Sequence, residues 1–363
     1  MHNEKGKFRV VAIGGGTGLS TLLRGLKKFI APPGNLHHQP ESYPIGNLAA
    51  VVTVTDDGGS SGRLRKEFNI LPPGDIRNCL VALSEDEALL SRLFQYRFAA
   101  TSENSGLSGH SFGNLFVTAL TAVVGDFAEA VRESSQILAS RGHIFPSTKS
   151  NVQLDAWMDD GSRVRGETSI TASKRRILEI RMVPVNARPL PETLQAIACA
   201  DLITIGPGSL FTSIIPNLLV RGIPEAIAKS RALKVYIGNL MMQANESLGL
   251  TAADHIRAIY KHSRIPVFDY ALLNTAPISP ALQARYKQEG VGPVECDVDV
   301  VVSFGLRCIA GNFVEEGDVV RHAADRVAAQ LVELIQCHSP ATNLPIVKFF
   351  PHAPEPIQKQ EPQ

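Results

Sequence analysis

Arg9-Val10-Val11-Ala12-Ile13, running into Gly14-Gly15-Gly16-Thr17-Gly18-Leu19-Ser20, decides how this chain folds. The first five residues are almost continuously apolar and largely β-branched, the pattern of a parallel strand covered on both faces. The glycines Gly14, Gly15, Gly16 and Gly18 then let the backbone turn sharply and come within hydrogen-bonding distance of a phosphate. The amphipathic stretch Thr21 to Phe29 reads as a helix, and the free N–H groups and positive dipole end of a helix favour an anion. No Gly-Lys-Ser/Thr follows, so this is not a Walker A loop. Leu19 also stands where a G-x-G-x-x-G would carry its last glycine. The reading is strand, phosphate cradle, helix.

Similar apolar runs recur at Leu48 to Val54, Leu202 to Ile205, Leu233 to Ile237 and Pro266 to Leu273, with helix-like stretches between most of them. Strands alternating with helices make βαβ units, so the fold class is α/β, Rossmann-like and doubly wound, with a mainly parallel sheet. Val152 to Val185 break the rhythm. There the alternation Val152-Gln153-Leu154-Asp155-Ala156-Trp157, the turn Asp160-Gly161 and then Arg163-Val164-Arg165-Gly166-Glu167 read as a β-rich hairpin insertion at about 152–185. Residues 1–7 read as an N-terminal tail, 8–337 as the domain, 31–46 as a polar surface loop, and the Pro-rich 338–363 as a tail expected to be disordered.

Parallel sheets of this kind bind ligands beyond the carboxyl ends of their strands, which directs attention to the loops there. In Thr53-Val54-Thr55-Asp56-Asp57-Gly58-Gly59-Ser60-Ser61-Gly62-Arg63, Asp56 and Asp57 can bond ribose hydroxyls or hold a hard divalent cation. Ser60 and Ser61 offer hydroxyl donors to an anion, and Arg63 a charge. An Asp-rich turn capping the next helix fits the same residues. Asp75, in Pro72-Pro73-Gly74-Asp75-Ile76-Arg77, reads as the N-cap of a helix Ile76 to Leu83, with metal ligation as its other role.

Ser108-Gly109-His110-Ser111-Phe112-Gly113-Asn114 opens an apolar helix Leu115 to Val124. Its His110 reads as a structural or ligand-stacking imidazole before a general base, and Asn114 supplies an amide. In Gly206-Pro207-Gly208-Ser209-Leu210-Phe211, Gly206 and Gly208 set a rigid turn. The Ser209 hydroxyl and the amides after it, through Phe211, can take a second anionic or ribosyl group, and Asn239 after the Leu233 run can meet a base or sugar edge. Together these loops fit one elongated nucleotide-type ligand lying across the top of the sheet.

The 363 residues carry 36 Lys+Arg against 35 Asp+Glu, a net charge of +1, so no global field recruits nucleic acid or an anionic membrane. Lys174-Arg175-Arg176 is a short solvated charge run. Five scattered cysteines without a C-x-x-C pair point to a reducing compartment. Neither a signal-peptide h-region nor a run of about 20 apolar residues is present, and a cytoplasmic protein is expected.

These motifs resemble the bacterial gluconeogenesis-factor-like (YvcK-type) family within the superfamily of 2-phospho-lactate transferases (CofD-like), from about Arg9 to Arg326. The carriers are Ala12 to Gly18, Val54 to Gly62, Pro72 to Arg77, Gly109 to Asn114 and Gly206 to Phe211. The resemblance implies a role in cell shape and wall synthesis during gluconeogenic growth and binding of nucleotide-sugars of the UDP-N-acetylglucosamine type. In the transferase branch it implies Mg²⁺ chemistry, with Asp57 and Asp75 as the metal positions. Three readings follow: a non-catalytic sensor of a UDP-sugar, with regulatory protein partners or a second copy of itself; a Mg²⁺-dependent phosphoryl-type transferase; and an NAD-binding protein in which Asp56 engages ribose.

Overall fold

The computed structural model describes residues 7–32, 43–85, 87–99, 106–173 and 175–338. Most of the expected 31–46 loop, residues 1–6 of the N-terminal tail, Lys174 of the charge run and nearly all of the Pro-rich tail lie outside them.

Among the described residues twelve strands follow one another. They are β1 (Phe8–Gly14), β2 (Ile45–Val52), β3 (His143–Pro146), β4 (Gln153–Met158), β5 (Arg163–Arg165) and β6 (Ile177–Val183). The second half adds β7 (Leu202–Ile205), β8 (Leu233–Ile237), β9 (Tyr270–Asn274), β10 (Arg307–Gly311), β11 (Val314–Glu316) and β12 (Val320–His322). Seven of them form one sheet in the order β10-β9-β8-β7-β1-β2-β3, with every neighbouring pair parallel. The chain winds outward from β1 through β2 to β3, then returns to the other side of β1 and winds out through β7, β8, β9 and β10. β1 is therefore the strand at which the winding reverses, the place where doubly wound sheets open a crevice.

Burial follows the apolar reading. Val10 to Ile13 are at most 2% exposed, because β2 and β7 cover their edges and helices cover both faces. The helix Gly16–Lys27 lays Leu19, Leu22, Leu23 and Leu26 on the sheet. It starts five residues before the predicted Thr21, inside the glycine run, so the loop is shorter than the sequence suggests. Its outer side carries helix Ala324–His338, and Gly25 meets the Ala324 carbonyl so closely that no side chain fits between them.

The insertion is present as a three-stranded antiparallel sheet, β5-β4-β6, with Gly161 turning the first hairpin at φ +80°. A short helix, Glu167–Ala172, follows β5 and was not expected. Two further departures have local causes. The run from Pro266 pairs only from Tyr270, since Val267 and Phe268 are buried outside the ladder. Asp75 is not an N-cap: Pro73 holds that position of helix Gly74–Leu83, and Asp75 lies one residue inside the first turn. No single helix among the described residues is long and apolar enough to cross a membrane.

Replacing Gly25 with Ala should lower stability by about 1–3 kcal/mol, because the helix pair must separate to admit the methyl group. Urea unfolding would reveal this as a lower midpoint with an unchanged slope; an unchanged midpoint would refute the close approach.

Candidate functional site

A cleft of about 360 Å³ opens at the carboxyl ends of β1, β7 and β8. One wall is Gly15, Gly16, Thr17 and Gly18; the facing wall is Pro207, Gly208 and Ser209, with Asn239 beyond. These two walls touch. A methyl group on Gly18 would collide with the Pro207 carbonyl, and one on Gly15 would come within 2.7 Å of the Asp75 carboxyl. Gly16 has φ +62°, the left-handed region that favours glycine. Glycine is required here for close packing and for a turn.

The rest of the second wall is held by amide and carboxyl groups that mimic a ligand. Asn239 donates to the Gly208 carbonyl at 2.9 Å and accepts from its N–H at 3.4 Å. Gln243 donates to the Ser209 hydroxyl at 2.6 Å. The buried Glu246 carboxyl accepts the N–H groups of Phe211 at 2.7 Å and Thr212 at 3.1 Å. The amides expected to take a second anion are thus already satisfied from within, and Phe211 is buried against His262. Gly14 and Gly206 close β1 and β7 behind this layer; the Gly14 carbonyl accepts from Asn217 at 2.9 Å.

The Asp-rich loop divides its work. Asp56 accepts the N–H of Gly58 at 2.9 Å, a local turn bond. Asp57 accepts both the N–H and the hydroxyl of Thr168, at 2.9 and 2.7 Å, tying the loop to helix 167–172. Ser60, Ser61, His110 and Asn114 form a buried network behind the loop: Ser60 meets His110 at 3.0 Å, and Asn114 donates to Ser60 and Ser61 at 3.1 and 3.4 Å. Burial and Arg63 lower the His110 pKa, so the ring is neutral at pH 7. Arg63 points outward to the Ser108 carbonyl at 2.6 Å. None of Asp56, Asp57, Ser60, Ser61, Arg63, His110 or Asn114 lines the cleft.

Two carboxyl groups do line it, Asp75 and Glu167. Desolvation, opposed by the Gly16 N–H and reinforced by Asp56, lifts Asp75 to about 6. Desolvation and then Asp56, Asp75, Asp57 and Glu246 push Glu167 up to about 9. Glu167 is accordingly protonated at neutral pH and can donate a hydrogen bond as well as accept one. Among the described residues no group of three or more His, Cys, Asp or Glu side chains is arranged to hold a metal ion. Asp57 and Asp75 lie on different sides of the loop, the one bonded to Thr168 and the other in the cleft.

The last wall comes from β12, with Arg321 and His322. His322 donates to the Gly238 carbonyl at 3.0 Å, and burial drives its pKa down to about 4, which leaves Arg321 as the positive charge of that wall. Glu167, Arg321 and His322 escaped the sequence reading; the signal for the last two was Gly317-Asp318, a turn pair between Val314 and Val320. A larger cavity of about 1030 Å³ lies at the opposite, amino end of β1, beside the Arg9–Asp201 ion pair, and none of these loops reaches it.

The same arrangement of chain occurs elsewhere. The family model described as 2-phospho-L-lactate transferase CofD matches residues 10–314. The chain belongs to the CofD family. Within it, this CofD-family protein is of the YvcK type. A gluconeogenesis factor of Halalkalibacterium halodurans is 47% identical over 90% of this chain and 96% of its own length. The gluconeogenesis factor of Bacillus subtilis is 45% identical over 91% and 99%. A crystal structure of a UPF0052-family protein from Bacillus halodurans superposes with a TM-score of 0.82 at 47% identity, covering 90% of this chain and 99% of that one.

The raised Glu167 carboxyl has a thermodynamic consequence. The folded protein keeps a proton there that the unfolded chain releases near its ordinary 4.5, so this group's contribution to stability is full below that pH and is lost as pH rises to about 9. Glu167→Gln removes the loss. Its melting temperature relative to the parent should therefore climb between pH 5 and pH 9, and a difference constant across that range would contradict the assignment.

Proposed function

We propose that this CofD-family protein is a cytoplasmic, non-catalytic sensor whose cleft binds a nucleotide-sugar of the UDP-N-acetylglucosamine type. In this role it serves cell morphogenesis and wall synthesis under gluconeogenic growth. The observation that carries the reading is the contact of the Gly15–Gly18 turn with Pro207 and Gly208 at the strand where the winding reverses. That turn carries Thr17 as its one side chain and begins a helix, so its amides and helix dipole favour a diphosphate. Arg321 adds the positive charge of the β12 wall, and a protonated Glu167 tolerates an anion that an ionised carboxylate would repel. The names carried by the relatives from Halalkalibacterium halodurans and Bacillus subtilis, gluconeogenesis factor, support the physiological setting.

A second reading, a 2-phospho-lactate-type transferase, draws on the family-model match and on the acidic groups around Asp75. A divalent cation in that chemistry would have to arrive with the ligand's phosphates, since the two carboxyls in the cleft hold protons more readily than usual. NAD is the third candidate, and it lacks the ribose partner first assigned to it, because Asp56 does not line the cleft.

Titration calorimetry with UDP-N-acetylglucosamine, GDP and NAD separates the three. The expected outcome is binding of the UDP-sugar, weakened about tenfold or more by Gly18→Ala, which forces the turn away from Pro207, and by Arg321→Ala. Tight GDP binding without UDP-sugar binding, or GMP release from an activated guanosine donor, would transfer the case to the transferase.

A further inference from the structure

The carboxylates at the end of β2 read from sequence as ligands of ribose or of a divalent cation, yet neither lines the cleft. Asp57 spends one oxygen on the N–H and hydroxyl of Thr168, and its other oxygen lies where a side chain on Gly166 would be, a residue held at φ +91°. The result of that latch is the placement of the next residue. Glu167 enters the cleft beside Asp75, where its carboxyl is backed by the Thr55 hydroxyl at 3.4 Å. Thr55 is itself fixed by Thr53 at 3.1 Å and by the Thr212 carbonyl at 3.3 Å. The far end of the helix is tied down as well, by Asn245 donating to the Thr171 carbonyl at 3.4 Å.

We propose that Glu167, delivered by the β-rich insertion, is the group that selects a hydroxyl-bearing sugar on the diphosphate, and that Asp57 is a positioning residue acting through Thr168. A protonated carboxyl next to a glycine-rich turn can donate a hydrogen bond to one sugar hydroxyl and accept one from its neighbour. Here that carboxyl comes from an element outside the parallel sheet, so selection of the sugar and grip on the diphosphate belong to different parts of the chain. The inference rests on the nucleotide-sugar reading above.

The test compares UDP-N-acetylglucosamine with UDP on the full chain, by calorimetry and by the emission of Trp157, the single tryptophan, which lies in β4 of the same insertion. Glu167→Ala should weaken the UDP-sugar by about tenfold or more while moving UDP by less than about twofold. Glu167→Gln, which keeps the side-chain volume, should show the same selective loss in smaller measure, so a folding defect in the Ala variant does not decide the matter. Asp57→Asn and Thr168→Val should reproduce the selective loss, Thr168→Ser should restore it, and Asp57→Asn should add nothing to Glu167→Ala. Equal loss for both ligands, or additive losses, would overturn the proposal. Parent protein that binds UDP with no gain from the sugar would overturn it while leaving the diphosphate cradle standing; parent protein that binds neither would remove both.

Discussion

Everything at the top of this sheet depends on one close approach: the turn after β1 against the turn after β7, at the strand where the winding reverses. Gly18 presses on the Pro207 carbonyl and Gly15 on the Asp75 carboxyl, so the two turns are in van der Waals contact with no side chain between them. Any residue larger than glycine would separate the turns and deepen the cleft at the cost of its shape. The geometry therefore fixes both the width of the cleft and the direction of the amides that line it.

A second constraint is electrostatic. Desolvation first, and then the charges of Asp56, Asp75, Asp57 and Glu246, raise the proton affinity of Glu167, while desolvation and Asp56 raise that of Asp75. The protein resolves this crowding by two devices. Asp57 and Glu246 are consumed as internal caps, on Thr168 and on the Phe211–Thr212 amides. Glu167 instead holds a proton. With Glu167 neutral, the negative charge of the cleft at neutral pH comes from Asp75, lifted only to about 6, and it is set against Arg321 and the backbone N–H groups.

Much of the frame was legible in the sequence, because buried parallel strands write themselves as apolar runs. Leu202–Ile205 and Leu233–Ile237 form strands with the predicted bounds, and the insertion reads correctly from the alternation at Val152 to Trp157. β3 and β10 escaped because edge strands are short and half exposed, so His143–Pro146 and Arg307–Gly311 lack the continuous apolar signature. The site was legible only in part. Glycine loops announce themselves by composition, so Gly15 to Gly18 and Gly208 were found. The direction of a side chain after a turn does not, so Asp57 and Asp75 exchanged their expected roles of cleft group and helix cap.

That exchange says where the specificity of such folds can change. The sheet and its two glycine turns leave little freedom, since Gly18 meets the Pro207 carbonyl and Gly208 the Gly15 carbonyl, backbone against backbone. The groups that give the cleft its chemical character come instead from the insertion helix, through Glu167, and from the β11–β12 hairpin, through Arg321. Both are appendages whose residues can vary without disturbing β1, and each is joined to the core by a few directional bonds such as Asp57 to Thr168 and His322 to Gly238. A fixed glycine frame combined with replaceable side chains at the cleft wall follows from that division, because loops and appended elements tolerate change that a close-packed strand end does not.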